Sequence, residues 1–459
     1  MLIREKKLDF VSIKRYIPIF VPHKSNSMTQ TEKQILALVK REVVPAIGCT
    51  EPIAVALCVA RATELLGRVP ERIEVKLSAN VLKNAMGVGI PGTEMVGLPI
   101  AIALGALIGK SEYGLEVLKE CQPVSVEAGK RYIEERRVEI SLKKDCFSKL
   151  YIEAEVVAGN ATAQAVIAGG HTEFVRLCKD GQILLNRELA ACIATKEETI
   201  ELTLRKVYEF ATTVSLEDIR FIGESARLNK EAAEYSFRKE YGHCLGRILN
   251  RSSRRHLMGE GPLSRILAYT SAACDARMAG AMIPVMSNSG SGNQGIAATL
   301  PVVIYAEENR CDEEQLLRAL MLSHLTVIYI KQSLGRLSAL CGCVVAATGS
   351  ACGITLLMGG EYEEVTYAVQ NMIANLTGMI CDGAKPSCSL KVTTGVSTAV
   401  LSAVMAMEGR CVSCVEGIIE EDVDRSIRNL THIGSEAMDE TDRMVLEMMT
   451  NKEKYGMAR

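Results

Sequence analysis

The sequence predicts an α+β fold, with a mixed N-terminal part that contains an antiparallel sheet and a predominantly helical C-terminal part. Alternating apolar and polar residues, the pattern of strands, recur between residues 72 and 185. Helical spacing dominates from residue 199 to the end. The chain has 459 residues, 4% aromatic residues and no Trp, so two or three domains with cores of Ala, Val, Ile, Leu and Met are expected.

The first elements alternate between helix and strand. Apolar residues at helical spacing predict helices over residues 29–42 and 52–66, and the first ends before Val44-Pro45 because a residue before proline disfavours helix. Residues 72–78 alternate as a strand does, and a helix of small residues is predicted over 98–108.

Strand patterns return at residues 137–142, 150–157, 161–168, 173–179 and 182–185. The breaks between them (AGN, GGH and KDG, with His171 in the second) are typical of turns, which predicts an antiparallel meander. The predicted organisation is an N-terminal extension over residues 1–28, an α+β domain over 29–195 and a helical domain over 196–459.

Charge and hydropathy limit the class of function. The net charge is −2 without a basic stripe, which argues against a nucleic-acid surface. The apolar segments 95–109 and 395–407 are too short and too rich in small residues for membrane spans, and the basic N-terminus lacks a secretory apolar region. We expect a cytoplasmic protein with a small-molecule substrate and no membrane partner; its Ala- and Gly-rich helices are compatible with a homodimer.

Sixteen cysteines without a secretory signal indicate metal ligation or buried thiols rather than disulfides. Cys49 precedes a predicted helix, whose positive end would lower the thiol pKa and favour the thiolate; the alternative is a buried cysteine in a tight turn. Five more fall within 48 residues: Cys341, Cys343, Cys352, Cys381 and Cys388. Their spacing is not that of a zinc site, and three thiolates with one open position would suit a catalytic [4Fe–4S] cluster. Plain core cysteines are the alternative.

A run of Ser, Gly and Asn at residues 287–295 offers backbone N–H groups and short polar side chains, as in a nest that binds a carboxylate or phosphate. The candidate binding residues are Asn288, Ser289, Gly290, Ser291 and Asn293. The run also resembles the phosphate loop of pyridoxal-phosphate lyases, for which Lys83, Lys331 or Lys391 would have to supply the Schiff base. A flexible connector is the third interpretation.

Two further positions are candidates. His324 lies in a predicted helix and is either a general base or a core histidine. Arg277 and Asp275 lie two residues apart and either hold a substrate carboxylate or pair with each other.

Five strings in this order resemble the bacterial and archaeal L-cysteine desulfidase family and its relatives described as serine dehydratase alpha-subunit-like. They are EVVPAIGCTEPIAVAL, SAACDARMAGAMIPVMSNSGSGNQGI, MLSHLTVIYI, RLSALCG and GMICDGAKPSCSLKV. The resemblance runs from about Thr29 to the C-terminus. It implies a lyase that uses a [4Fe–4S] cluster and no pyridoxal phosphate to release sulfide and ammonia from L-cysteine, leaving pyruvate.

The resemblance also implies roles for single residues. Cys341, Cys381 and Cys388 match the cysteines that bind the cluster in iron–sulfur serine dehydratases, whereas Cys343 and Cys352 fall outside the core of the motif. The loop at 287–295 and Arg277 would hold the substrate carboxylate. Cys49, His324 and Lys391 are candidates for the base that removes the α-proton. An open iron also predicts sensitivity to air.

Three alternatives stay open at this point. The same cluster could serve an L-serine dehydratase, because the choice between SH and OH cannot be read from the sequence. A pyridoxal lyase could use the loop at 287–295. A non-catalytic iron–sulfur sensor would need a DNA- or partner-binding module, and no such module is recognisable.

Overall fold

The computed structural model describes residues 28–144, 146, 148–187, 200–251, 259–335 and 337–451. The predicted α+β class is confirmed. The predicted N-terminal extension, apart from Met28, lies outside the described residues.

The chain begins in the helical part of the molecule before it enters the sheet. Helix α1 (Gln30–Glu42) starts at a capping box formed by Thr29 and Glu32. Its apolar face joins the core of the C-terminal helices. Helix α2 (Thr50–Leu66) instead packs against the sheet. The predicted α+β domain includes α1, although the hydrophobic contacts of α1 lie with the helical part.

One six-stranded sheet forms the centre of the N-terminal part. Its strands are β2 (Arg72–Leu77), β3 (Val138–Leu142), β4 (Tyr151–Ala158), β5 (Ala161–Ala168), β6 (Phe174–Lys179) and β7 (Gln182–Asn186), in the order β3-β2-β4-β5-β6-β7. Strands β4 to β7 form the predicted antiparallel meander.

The inclusion of β3 in that meander was wrong, because β3 pairs in parallel with β2. Three helices separate the two strands: α3 (Ala79–Ala85), α4 (Leu98–Leu107) and α5 (Pro123–Glu134). Such a long helical connection returns the chain to the end of the sheet where β2 began, and a parallel pairing follows.

Twelve further helices build the C-terminal part. They are α6 (Leu204–Thr213), α7 (Leu216–Ile219), α8 (Gly223–Arg238), α9 (Leu245–Asn250), α10 (Pro262–Met278), α11 (Gly292–Asn309), α12 (Glu313–Leu334), α13 (Gly342–Leu357), α14 (Tyr362–Leu376), α15 (Cys388–Met407), α16 (Val423–His432) and α17 (Asp439–Thr450) among the described residues. Helix α13 lies at the centre and packs on α11, α12, α14 and α15.

Glycines allow these central helices to approach closely, as the small-residue composition predicted. A Cβ at Gly349 of α13 would lie 2.4 Å from the carbonyl oxygen of Ser323 on α12. A Cβ at Gly353, one turn later, would lie 2.9 Å from the carbonyl oxygen of Ala319. Since real Cβ atoms do not approach backbone so closely, larger residues would force the two helices apart.

Helix α15 is long and apolar enough to cross a membrane, and 44% of its most apolar window is buried inside the protein. The sequence interpretation considered only residues 395–407, whereas the helix begins earlier, at Cys388. No other helix in the described ranges passes this test of length and composition, which core helices also pass.

A short two-stranded sheet joins the two ends of the fold. Strand β1 (Pro45–Ile47) pairs antiparallel with β8 (Pro284–Met286). The pairing brings the GCTEP turn after β1 next to the glycine-rich loop after β8. Thr50 closes the junction by donating a hydrogen bond to the carbonyl oxygen of Gly290 at 2.9 Å.

Candidate active site

Four helices begin at the wall of one cavity of about 120 Å³, called the central cavity below. Cys49, Ser291 and Cys341 are the N-cap residues of α2, α11 and α13, and Cys388 is the first residue of α15. Helix N-termini carry unpaired N–H groups and a positive partial charge. The central cavity is therefore suited to anionic groups, such as thiolates and carboxylates.

The three predicted cluster ligands, Cys341, Cys381 and Cys388, all line this cavity. An isolated bridge between Leu340 and Ile380 joins the two loops that carry the first two cysteines. The N–H of Cys341 donates to Met379 at 2.9 Å, and that of Cys381 donates to Ala339 at 2.6 Å. Backbone pairing therefore holds together two cysteines that are forty residues apart.

The loop between Cys381 and Cys388 needs glycine at its bend. Gly383 has φ +86°, and a Cβ there would lie 2.3 Å from the carbonyl oxygen of Lys83. Both the left-handed conformation and this close approach exclude a side chain. Lys83 itself is buried, forms an ion pair with Asp442 of α17 and donates to the carbonyl oxygen of Cys381 at 3.3 Å. Its amine is therefore engaged in holding the loop.

The other two cysteines of this segment have different surroundings. Cys343 lines the cavity, with its sulfur 3.3 Å from that of Cys341. The hydrogen bond from Cys343 lowers the pKa of Cys341 to about 7, and the pKa of Cys343 is raised well above its usual value. Cys352 lies in the buried middle of α13, away from the cavity, and burial raises its pKa to about 12. Cys352 behaves as a core residue.

The donor set fits an iron–sulfur cluster better than a single metal ion. In the described part of the chain, no three His, Cys, Asp or Glu side chains form a group that could hold one ion. A cluster is larger, and each cysteine ligates a separate iron, so its ligands surround a volume instead of converging on a point. Cys341, Cys381 and Cys388 come from separate segments and surround such a volume.

Arg277, at the end of α10, is buried (3% exposed) and lines the cavity without a partner for its Nε. It forms no ion pair with Asp275, which instead accepts a hydrogen bond from the N–H of Gly246 at 3.0 Å. The guanidinium lies against the start of α11, where a Cβ on Gly292 would be 2.2 Å from Nε. A buried cation beside a helix N-terminus requires an anion, and a substrate carboxylate would supply it.

The glycine-rich loop divides into two halves. Gly290, Ser291 and Asn293 line the cavity, as predicted for residues that bind substrate. Asn288 and Ser289 are buried outside it, where the Ser289 hydroxyl donates to the Asn288 side-chain oxygen at 2.8 Å. These two residues shape the loop and do not reach the cavity.

Two amide oxygens at the start of α11 are buried and have no partner. They belong to Asn293 and to Gln294, whose side chain also lines the cavity. Buried polar groups in folded proteins normally have partners, so unpaired ones at a cavity indicate atoms that a ligand completes.

His324 does not lie at the cavity. Its ring contacts the side chain of Asn288 at 3.1 Å through Nδ1 and that of Thr299 at 3.0 Å through Nε2. Complete burial lowers the pKa of His324 to about 3, so the ring is neutral at ordinary pH. The structure therefore does not support His324 as the base and gives it a role in holding the loop.

Lys391 lines the cavity but is held as a cation. It forms an ion pair with Asp382 and donates to the carbonyl oxygen of Ile380 at 2.7 Å. Burial alone would lower the pKa of Lys391, but the hydrogen bond and charge of Asp382 outweigh burial and raise it. A lysine whose proton is held this firmly is better suited to stabilise negative charge than to accept a proton.

Cys49 is buried at the cavity wall, and the expectation of a lowered pKa was wrong. Burial and the adjacent carboxylate of Glu51 raise the pKa of Cys49 well above its usual value, despite the positive charge of Arg277. The sulfur lies 3.0 Å from Oε2 of Glu51, to which it donates a hydrogen bond. Cys49 is therefore a neutral thiol in this structure.

Three lining residues were missed from the sequence: Glu51, Gln294 and Cys343. Each lies inside a motif that was recognised, one or two residues from a chosen candidate. The available signal was the motif as a whole, since both side chains that flank a helix N-cap can face the same cavity.

Comparisons with known proteins agree with this site. Residues 112–447 match the family model described as serine dehydratase alpha chain. A UPF0597 protein of Bacteroides fragilis is 71% identical over 426 residues, which cover 93% of this chain and 100% of the relative. UPF0597 proteins of Bacteroides thetaiotaomicron and Oleidesulfovibrio alaskensis are 70% and 48% identical, over 92% and 90% of this chain and 98% and 97% of their own lengths.

The family model covers most of the chain, including α10 to α16 and the three cysteines that line the cavity. The names of the relatives state no reaction. The family predicted from the sequence motifs is confirmed: the chain belongs to the serine dehydratase alpha chain family.

Proposed function

We propose that the protein is an iron–sulfur lyase that eliminates the β-substituent of a small L-amino acid, with L-cysteine as the substrate and pyruvate, ammonia and sulfide as products. The carrying observation is the composition of one cavity. Three cysteines from separate segments share it with a buried arginine that has no partner. The thiols supply a site for the cluster, and the arginine supplies a site for the carboxylate.

Cys341, Cys381 and Cys388 would hold the cluster, with Lys391 and the N-termini of α13 and α15 balancing its negative charge. When bound, a [4Fe–4S] cluster with one open iron position supplies a Lewis acid for the leaving group or carboxylate. Family membership supports this cofactor, because iron–sulfur dependence is typical of serine dehydratase alpha chains.

The protein's own residues bind and orient the substrate. Arg277 and the N–H groups at the start of α11 pair with the α-carboxylate, which places Cα at the centre of the cavity. The α-proton is removed, its electron pair forms the Cα=Cβ bond, and sulfide leaves with the electrons of the Cβ–S bond. The released 2-aminoacrylate takes up water and yields pyruvate and ammonia, so no oxidant or reductant is required.

L-Serine is the second candidate substrate, and the name of the matched family favours it. The GCTEP segment resembles that of the desulfidases, which favours cysteine. The reaction follows the same course with water as the leaving group. A sensor without catalytic activity would leave the unpaired Arg277 without a purpose.

The proposal is tested on protein purified without oxygen, by iron and labile-sulfide analysis and by pyruvate release from L-cysteine and L-serine. We expect about four irons per chain, and loss of iron and activity in Cys381→Ala. Cys352→Ala is the matched control, because it removes a cysteine of α13 outside the cavity. An iron-free protein that is equally active in air would overturn the proposal. An absorbance near 410–430 nm that borohydride abolishes would then indicate a pyridoxal enzyme.

A further inference from the structure

The central cavity contains a buried carboxylate that the proposed roles do not use. Glu51, in the first turn of α2, is 8% exposed and lines the cavity. Its partners are all neutral: the thiol of Cys49 at 3.0 Å, the hydroxyl of Thr50 at 3.2 Å and the amide of Asn84 at 3.2 Å. Among the described lining residues it is the only carboxylate.

These partners leave both hydrogen-bonding capacity and charge unsatisfied. A carboxylate offers about four lone-pair directions, and three donors occupy three of them. Neutral donors stabilise the anion but do not cancel its charge, which is costly to bury without a cation. The carboxylate is therefore prepared for one further donor, preferably a cationic one.

Arg277 in the same cavity has the opposite requirement, because it is a buried cation without an anion. Arg277 and Glu51 do not pair with each other: every hydrogen bond to Glu51 comes from Cys49, Thr50 or Asn84. One cavity thus contains two separated, uncancelled charges of opposite sign. A ligand that satisfies both must itself carry an anion and a cation.

We infer that Glu51 receives the α-ammonium group of the substrate while Arg277 receives its α-carboxylate. This assignment rests on the proposed function and makes Glu51 the residue that selects α-amino acids over α-hydroxy acids. It also fixes the handedness, since two anchors on Cα together with the direction of the leaving group define which enantiomer fits. Cys49, Thr50 and Asn84 are positioning residues that aim the carboxylate.

The test compares two inert ligands of equal size and handedness, L-alanine and (S)-lactate, which differ in an ammonium against a hydroxyl group. Binding is measured by calorimetry on the anaerobically purified full chain. The native protein should prefer L-alanine by about 100-fold, the range found for a buried charged pair. In Glu51→Gln the preference should fall to within a few-fold, with (S)-lactate binding nearly unchanged.

Two further variants complete the comparison. Glu64→Gln removes a carboxylate at the other end of α2, outside the cavity and paired with Arg61, and should keep the native preference. Glu51→Asp keeps the charge on a shorter side chain and should retain part of the preference. It is also the substitute if Glu51→Gln fails to fold. A general loosening of the site would weaken both ligands equally, which separates structural damage from loss of selectivity.

The outcomes distinguish the two proposals. If the native protein binds no α-amino acid, the proposed function fails. If it binds and converts amino acids while Glu51→Gln keeps the full preference for L-alanine, only the role of Glu51 is overturned. Loss of turnover with an unchanged binding preference would likewise overturn it, because Glu51 would then act on the α-proton.

Discussion

Two buried carboxylates, one in the sheet and one at the cavity, show how the two parts of the molecule differ. Glu153 on β4 is 7% exposed, about as buried as Glu51. Lys143 contacts it at 2.6 Å and Lys76 at 3.8 Å, and the hydroxyl of Tyr151 donates to it at 2.6 Å. Glu51 has three neutral donors and no cation.

The same contrast holds for the cations. Lys143 reaches Glu153 from the neighbouring loop, whereas Arg277 at the cavity has an unpaired Nε. Charges in the sheet are neutralised within the protein, so they contribute to stability. Charges at the cavity are left for a ligand, so they lower stability and confer binding. This division of roles leads to the following predictions.

The largest effect is expected for Arg277→Met. Removing the carboxylate anchor should lower kcat/KM for the amino-acid substrate by about 100-fold or more. The free energy of unfolding should not fall, because the guanidinium has no protein partner to lose and its desolvation cost disappears. Steady-state kinetics and urea unfolding measure the two effects. Arg227→Met, on the surface of α8, is the control; equal activity in both variants would contradict the assignment.

Glu153→Gln should show the opposite pattern. We expect unfolding to become easier by about 2 kcal/mol, because the hydrogen bonds to the charged carboxylate are weakened, and activity to remain native. Urea denaturation alongside the pyruvate assay measures both. Glu139→Gln breaks an exposed ion pair with Arg72 in the same sheet and should cost far less. A loss of activity without a loss of stability would break the comparison between sheet and cavity.

The effect of Glu153 should depend on pH with a defined sign. Burial alone would raise its pKa, but the bonds from Lys143 and Tyr151 outweigh burial and lower it below 4.5. A lowered pKa in the folded state gives stability that is complete above the unfolded value and is lost as pH falls through the folded value. The stability difference between the native protein and Glu153→Gln should shrink below about pH 4.5. A difference that stays constant down to pH 3 would exclude this linkage.

His324→Gln tests whether a buried histidine behind the loop acts only as a support. Since its pKa is about 3, the shape of the activity–pH profile between pH 6 and 9 should not change. Loss of the bonds to Asn288 and Thr299 should cost about 1–2 kcal/mol of stability. A missing inflection in the profile of the variant would restore His324 as a base.

The smallest effect is expected for Cys352→Ala, which separates core cysteines from ligands. It should cost about 1 kcal/mol of stability through the lost buried sulfur, and the iron content should equal that of the native protein. Iron analysis and thermal unfolding check this. Loss of iron would show that the cluster is held elsewhere than at the central cavity.

Much of the fold was predictable because it depends on local pattern. The alternation in residues 150–185 predicted strands β4 to β7, and the short turns between them could only give antiparallel neighbours. The pairing of β3 was not predictable in this way. It depends on which end of the sheet the chain reaches after three helices, and no residue of β3 records that.

The site was predictable as far as its motifs. The cysteine spacing and the run at 287–295 identified which segments carry chemistry, and the family resemblance selected the three cysteines that share the cavity. The division of Asn288 and Ser289 from Ser291 was not predictable, because a φ of +49° at Ser289 turns the loop between them. The signs of the pKa shifts of Cys49 and Lys391 also depended on neighbours that the sequence does not place beside them.

By itself, then, the sequence determined the elements, the family and the segments of the site, since periodicity, turn residues and motif spacing act within a few residues of the chain. The tertiary structure alone decided which polar groups are paired. Whether Arg277 meets Asp275 or an empty volume, and whether Glu51 meets a lysine or three neutral donors, depends on packing between α2, α10 and α11. A buried charge acquires its role from what surrounds it, and only the folded chain defines those surroundings.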